Sequence, residues 1–188
     1  GGTGTNGQSL NSGITIDCSR YMKSTSAFDA ENREIYAQAG VIKDELNEFL
    51  KPYGLFFSPE LSTSSRACLS GMISNDAAGQ GSLRYGRTSC HIKDVTVVLK
   101  DGTKATLGPV SGDKLKHELN RDDFLGSIYR TVYSIVKDKR ETIEEIFPKL
   151  NRFMTGYDLY NCYDPKTDTL NLARIICGAE GTLAVILG

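Results

Sequence analysis

The residues best suited to chemistry open the chain: Gly1-Gly2-Thr3-Gly4-Thr5-Asn6-Gly7-Gln8. Glycine reaches positive φ without steric cost, so successive N–H groups can turn toward one point. A concavity of that kind binds anions, phosphate above all. The hydroxyls of Thr3 and Thr5 and the amide of Asn6 add donors at its rim. Taken alone, the stretch fits a phosphate loop and a flexible linker about equally. Two familiar phosphate motifs are excluded. Gly2-x-Gly4-x-x-Gly7 has the Rossmann spacing, which needs a helix to follow at once. Here Gly13 and Ile14-Thr15-Ile16-Asp17 follow instead, a turn into a strand. No Lys-Ser or Lys-Thr succeeds the last glycine, so a P-loop fails as well.

Small residues cluster twice more. One run covers residues 58–81 and contains Pro59, Ser64, Ser65, Gly71, Met72, Ser74, Asn75, Ala77, Ala78 and Gly79. The other is Gly178-Ala179-Glu180-Gly181-Thr182. Both would let a bulky ligand approach main-chain atoms, and each read separately is also an ordinary set of tight turns.

Composition narrows the class. Lys plus Arg number 22 against 23 Asp plus Glu, so no strong field favours nucleic acid or an anionic membrane. No stretch is apolar for long enough to span a bilayer, and no signal peptide opens the chain. Five widely spread cysteines form no C-x-x-C pair, which points to idle or buried thiols rather than a disulfide framework or a zinc knuckle. Two histidines, His91 and His117, are too few for a histidine-based metal site.

The elements that must position these clusters follow from periodicity. Residues 14–17 predict a short strand, 18–32 a polar, turn-rich stretch, and 34–40 a second strand. Val41, Ile42, Leu46, Phe49 and Leu50 fall at helical spacing, and Pro52 with Gly54 marks that helix's exit. Leu55-Phe56-Phe57 reads as a buried strand or turn. Val95, Val97 and Leu99 alternate with Thr96, Val98 and Lys100 before Asp101-Gly102, a hairpin over residues 92–107. Residues 108–124 are polar and read as loop. Leu125, Ile128, Val132, Ile135 and Val136 predict a helix over 124–139, with a shorter one over 141–150 despite Pro148. A turn covers 164–168, and a strand over 183–187 closes the chain. The fold class is α+β, a mixed or mainly antiparallel sheet flanked by helices. Because a phosphate loop normally hangs off a strand and none precedes Gly1, the domain is expected to be truncated at its N-terminus.

The order of the clusters is more specific than any one of them. It resembles the FAD-linked oxidases and dehydrogenases of the vanillyl-alcohol oxidase / p-cresol methylhydroxylase type. Gly1-Gly2-Thr3-Gly4 looks like the end of that family's pyrophosphate loop. In the second segment Pro59 matches the family's proline, Gly71 the second glycine of its pair, Ser74 its small residue, and Ala77 and Gly79 its A-G-G end. Leu83-Arg84-Tyr85-Gly86 is similar to R-Y-G, residues 95–102 to the following hairpin, Thr155-Gly156-Tyr157-Asp158-Leu159 to G-Y-D-L, and Gly178-Ala179-Glu180-Gly181-Thr182-Leu183 to G-S-E-G-T-L. The resemblance runs nearly end to end and is weakest over 108–150. Ser70, Met72 and Asp76 depart from it, standing where glycine, asparagine and asparagine are usual. An aspartate beside a pyrophosphate would repel it unless the carboxylate faced a ribose hydroxyl or solvent.

The resemblance implies an FAD-binding domain in two parts, residues 1–60 with the pyrophosphate loop and residues 61–188. Backbone donors of residues 1–9 would neutralise the phosphates. The cofactor-binding set would be Gly1, Gly2, Thr3, Gly4, Thr5, Asn6, Gly7, Gln8, Pro59, Ser64, Ser65, Gly71, Met72, Asn75, Ala78, Gly79, Glu180 and Gly181. Thr5 and Asn6 occupy the region where relatives with covalent flavin carry a histidine, so FAD would be non-covalent. Glu180 would accept from a ribose or cap a turn. Arg66, Arg84 and Arg87 would face phosphate, a substrate carboxylate or surface ion-pair partners, and His91 would be an ordinary packing residue. No catalytic residue and no metal ligand is assigned here, since the substrate would lie against a separate cap domain. The parent would be an oxidoreductase acting on CH–OH groups. Within the family it looks most like the long bacterial dehydrogenases of D-2-hydroxy acids (D-2-hydroxyglutarate or D-lactate), which pass hydride to flavin N5. It would carry an iron–sulfur cluster outside this chain, hand electrons to a downstream acceptor, and reside in the cytoplasm or peripherally on the inner membrane face. Two alternatives stand beside this reading: an FAD oxidase of another alcohol, and a nucleotide-binding module without chemistry.

Overall fold

A computed structural model of the chain describes residues 1–4, 10, 12–150 and 156–188. Thr5, Asn6, Gly7, Gln8 and the stretch 151–155 lie outside the described residues, and with them part of the first loop and the start of the G-Y-D-L stretch.

Alternation decides the central sheet. Strand β3 (Val95–Val98) pairs antiparallel with β4 (Lys104–Leu107), Val95 opposite Leu107 and Val97 opposite Ala105. Those four side chains are buried, because a period of two sends alternate residues to one face. Gly102 takes the positive φ of the turn, 86°, and Asp101 accepts hydrogen bonds from the Thr103 N–H and hydroxyl. On its other edge β3 pairs with β8 (Val185–Ile186), giving the order β4-β3-β8. A second three-stranded sheet has the order β5-β7-β6, from Pro109–Val110, Thr169–Asn171 and Tyr163–Asp164. A hairpin of β1 (Thr25–Asp29) and β2 (Glu34–Ala37) stands apart. Every strand pairing among the described residues is antiparallel, spread over three small sheets.

Helix α5 (Phe124–Asp138) covers the larger core. Its N-cap Asp123 accepts from the Gly126 N–H at 2.9 Å, satisfying a donor the first turn leaves free. Leu125, Tyr129 and Val136 of one face are buried together with Val95, Val97, Leu170 and Ile176. Burial lifts the Tyr129 hydroxyl to a pKa of about 12. The smaller core gathers Val41, Leu46 and Leu50 beneath α1 (Lys43–Leu50) with Leu69, Met72 and Ala77. Helix α2 (Leu69–Ser74) belongs to both, since Leu69 and Met72 face the smaller core and Ile73 the larger.

Several expectations are corrected. Residues 14–17 form no strand: Ile14 is 90% exposed and Ile16 55%, and neither has a ladder partner among the described residues. The 18–32 stretch contains β1, where hairpin pairing overrides the weak strand propensity of Ser26 and Ala27. Residues 108–124 hold β5 and helix α4 (Gly112–Leu119), whose apolar face is little more than buried Leu115 and so barely marks the sequence. The helix after α5, α6 (Arg140–Ile146), stops early because Phe147 precedes Pro148 and is pushed to an extended conformation. The predicted first helix ends as a 3₁₀ turn, Lys51–Tyr53, closed by left-handed Gly54. Two short helices, α3 (Ser82–Tyr85) and α7 (Ala173–Ile176), were not legible at all.

Candidate cofactor cleft

All three small-residue clusters meet at one cleft of about 1090 Å³. Gly1, Gly2, Thr3 and Gly4 form one side, and residues 60–63 the base. The cleft-facing side of α2 with residues 77–80 forms the opposite wall, and Glu180 and Gly181 close it.

Local chemistry explains each wall. A Cβ on Gly79 would lie 1.3 Å from the Glu60 carbonyl oxygen, so only glycine lets the 77–79 turn rest against the base. Gly71 differs: a Cβ there would meet nothing within 4 Å, because it points into the open cleft from the exposed side of α2. Gly1 lies against Thr63, and its carbonyl accepts from Arg66 Nε at 3.3 Å. The 178–181 turn is bolted to the end of α2. The Gly178 N–H donates to the Ile73 carbonyl at 2.9 Å and the Glu180 N–H to the Ser74 carbonyl at 2.7 Å, satisfying acceptors that a helix C-terminus leaves unpaired. Glu180 adopts φ of 50° to do so.

Of the residues singled out from sequence, Gly1, Gly2, Thr3, Gly4, Gly71, Met72, Asn75, Ala78, Gly79, Glu180 and Gly181 line the cleft. Pro59, Ser64 and Ser65 do not. Pro59 is fully buried in the base. The Ser64 hydroxyl turns back to donate to the Leu61 carbonyl at 2.7 Å, and Ser65 points to solvent. Thr63, Ala67 and Cys68 line the cleft without having been picked out; a short polar or small side chain carries little signal in sequence.

Asp76 faces neither a ribose site nor solvent. Its side chain is buried, 2.8 Å from Arg87 Nε, and accepts from the Ser89 N–H at 2.7 Å and hydroxyl at 3.0 Å. Arg87, expected at the surface, is buried between Asp76 and Asp158, whose Oδ2 is 2.7 Å away. Arg66 reaches the described part of the first loop, while Arg84 lies over the Tyr85 ring. His91 packs edge-on to Phe57, with Nε2 at 2.9 Å from the Ser58 hydroxyl and 2.7 Å from the Tyr85 carbonyl.

Electrostatically the cleft relies on main chain. Among the described residues its lining includes Glu60 and Glu180 but no lysine or arginine. Glu60 is tethered by Lys43, a lysine almost wholly buried behind the base, at 3.4 Å. Behind α2 the buried Cys177 thiol is pushed up to about 12, first by desolvation and then by the Asp76 carboxylate, so it stays protonated. Burial and neighbouring Cys68 raise the Cys18 thiol as well. Asn75 lines the cleft, but its Oδ1 is buried away from it, with no hydrogen-bond partner among the described residues.

The class is that of an α+β domain with a long cleft lined mainly by small residues and glycines. Comparison with known proteins gives the particular family. The FAD binding domain model matches residues 1–108, and the chain belongs to that family, of the p-cresol methylhydroxylase type. Its cofactor is FAD. Over 186 residues, 99% of the chain, it is 50% identical to a D-2-hydroxyglutarate dehydrogenase of Pantoea ananatis and 48% identical to one of Escherichia coli. It spans 18% of the length of each. A glycolate oxidase subunit of Bacillus subtilis is 28% identical over 90% of the chain and 36% of its own length. No helix of the described residues is long and apolar enough to cross a membrane.

Proposed function

We propose that this domain holds FAD non-covalently in the cleft, and that the complete protein is a dehydrogenase of D-2-hydroxy acids, with D-2-hydroxyglutarate as first candidate. The observation that carries the reading is the meeting of three separate small-residue loops around a space into which Gly71 opens. This fits a flavin dinucleotide, because the open glycine leaves room for a flat group against α2. Gly1, Gly2, Thr3 and Gly4 would offer N–H and hydroxyl donors to the pyrophosphate, with Thr5, Asn6, Gly7 and Gln8 continuing the loop in sequence. Gly71, Met72, Asn75, Ala78 and Gly79 would form the opposite wall, and Glu180 and Gly181 the closing turn. Pro59 and Ser64 would act by shaping the base. When bound, FAD supplies the two-electron acceptor for oxidation of the CH–OH group. The chain's own part is to bind, orient and exclude water. Its division at residue 60 into two subdomains belongs to the same proposal, as do substrate contacts from outside this chain, a downstream electron acceptor and a cytoplasmic setting. The matches to D-2-hydroxyglutarate dehydrogenases, 50% and 48% identical over 186 residues, support the choice of substrate.

The test is direct. Purified complete protein should carry a flavin absorbance band through gel filtration and release free FAD on denaturation. Anaerobic D-2-hydroxyglutarate should bleach that band faster than D-lactate does. A colourless protein that takes up no added FAD would sink the cofactor reading. Bound FAD that neither acid bleaches would leave a binding module and remove the dehydrogenase.

A further inference from the structure

A second cavity, of about 730 Å³, lies against the opposite face of α2 from the cofactor cleft. Leu69, Ser70 and Ile73 of that helix line it, while Gly71, Met72 and Ser74 line the cleft. Its apolar walls come from both cores: Leu46 and Leu50 of α1, Ile186 of β8, and Phe28, Ile35 and Ala37 of the β1–β2 hairpin. Two of these walls are incomplete as sheet. The hairpin has only two strands, its register breaks between Ser26 and Asp29, and Ala27 sits at φ of 50°. Two strands alone are marginally stable, and a third strand or further packing is what steadies them. Leu55-Phe56-Phe57, whose apolar run predicts a buried strand or turn, has no ladder partner among the described residues, and Phe56 is 56% exposed. In place of a ladder, the Phe57 N–H donates to Asn47 Oδ1 at 2.7 Å and its carbonyl accepts from Asn47 Nδ2 at 3.4 Å.

Polar groups at the edge of this cavity are bonded to one another. Lys93 pairs with Glu34 at 2.6 Å, and His91 Nε2 lies 2.9 Å from the Ser58 hydroxyl and 2.7 Å from the Tyr85 carbonyl. A small-molecule site aims a few such groups inward to orient its ligand, and these are turned to each other instead. Protein interiors leave few voids larger than a water molecule, so a space bounded by this many core side chains calls for apolar filling. Extended, uncharged polypeptide supplies it, with alternate side chains for the apolar walls and main-chain groups for a sheet edge. Its source is argued from length. Relatives 50% and 48% identical match 99% of this chain, yet it spans only 18% of either.

We propose that in the complete protein an apolar strand from outside residues 1–188 fills this cavity beside the β1–β2 hairpin, covering Phe56 and backing α2. The proposal stands whether or not the cleft takes FAD.

Photo-crosslinking in the complete protein tests it. Phe56→p-benzoylphenylalanine keeps an aromatic ring at the cavity mouth and, on irradiation, should bond within the same polypeptide to a residue outside 1–188, located by mass spectrometry of the digest. A product of twice the chain mass would place a second copy in the cavity and overturn the proposal. Cross-links confined to residues 1–188, cross-links to another protein, or none at all would overturn it as well. Tyr36→p-benzoylphenylalanine, 36% exposed on the hairpin wall, carries the same test should the first variant not fold. The unsubstituted complete protein gives a second readout. Hydroxyl-radical oxidation of Phe56 should be nearly abolished relative to the same protein in urea. Oxidation merely about halved, as 56% exposure alone would give, would leave Phe56 uncovered and sink the proposal.

Discussion

The two facing walls of the cleft are built on opposite principles. On one side Gly1 to Gly4 lie exposed, held by contact with Thr63 and one 3.3 Å hydrogen bond from Arg66. On the other, α2 and the 75–79 turn are fastened by a buried ion triad, by the Thr88 bonds to Ala77 and by two backbone bonds from the 178–180 turn. Within the fastened wall glycine serves in two contrary ways: at Gly79 it permits tight packing, and at Gly71 it leaves space. The difference teaches that a glycine-rich binding motif is two things at once. Part of it is scaffold, fastened by buried contacts, and part lies exposed with few of them.

The largest effect should come from the fastened wall. Arg87→Ala leaves two buried carboxylates without their cation and should cost about 3–5 kcal/mol in urea unfolding. A loss under about 1 kcal/mol would mean that this wall is not held by the triad. Gly79→Ala comes next, because a methyl group must displace the Glu60 backbone; about 1–3 kcal/mol should be lost. Gly71→Ala separates the two uses of glycine. It should leave stability unchanged or raise it by up to about 1 kcal/mol through helix propensity, while FAD affinity falls. A large loss of stability there would show that Gly71 is scaffold as well. On the exposed wall Arg66→Ala should change stability by no more than about 0.5 kcal/mol, yet weaken FAD binding most at low salt.

Away from the cleft, the exposed Arg121–Asp123 pair gives the smallest effect and a pH signature. Arg121, followed by the Gly126 N–H, holds the Asp123 carboxyl at about 2, below its ordinary 3.8. A depressed folded-state value means that its stabilisation is present above pH 3.8 and is lost as pH falls toward 2. Asp123→Ala should therefore lower the melting temperature at neutral pH, and the gap from the parent should close over that acid window. A gap that persists at pH 2 would assign the effect to something other than the carboxylate.

Much of this was legible in the sequence, for identifiable reasons. The Val95–Leu107 hairpin and α5 announce themselves because one face of each is buried and periodicity records that face. The cleft was legible because close approach to main chain demands small residues, and these came in a recognisable order. Asp76 was the instructive failure. The sequence left it two places, a ribose hydroxyl or solvent, but its partners are Arg87 and Ser89, fixed by tertiary contact that no local pattern encodes. Ser64 lies outside the cleft lining for a related reason: its hydroxyl has a nearer acceptor in the Leu61 carbonyl. Residues 14–17 alternate like a strand, but a strand needs a neighbour, and alternation says nothing about whether one is at hand.

The bond between Arg87 and Asp158 also bears on how the domain is made. A chain emerging from the ribosome exposes its N-terminal part first, and contacts far apart in sequence close late. When residues 1–108, the span of the family match, have emerged, Arg87 has Asp76 and Ser89 but not yet Asp158, and the end of α2 still lacks the Gly178 and Glu180 N–H groups. The cleft is therefore completed only by residues about seventy positions downstream of that span, and under the proposed function a pulse of newly made chain should acquire the flavin only once residues 180–181 have cleared the exit tunnel.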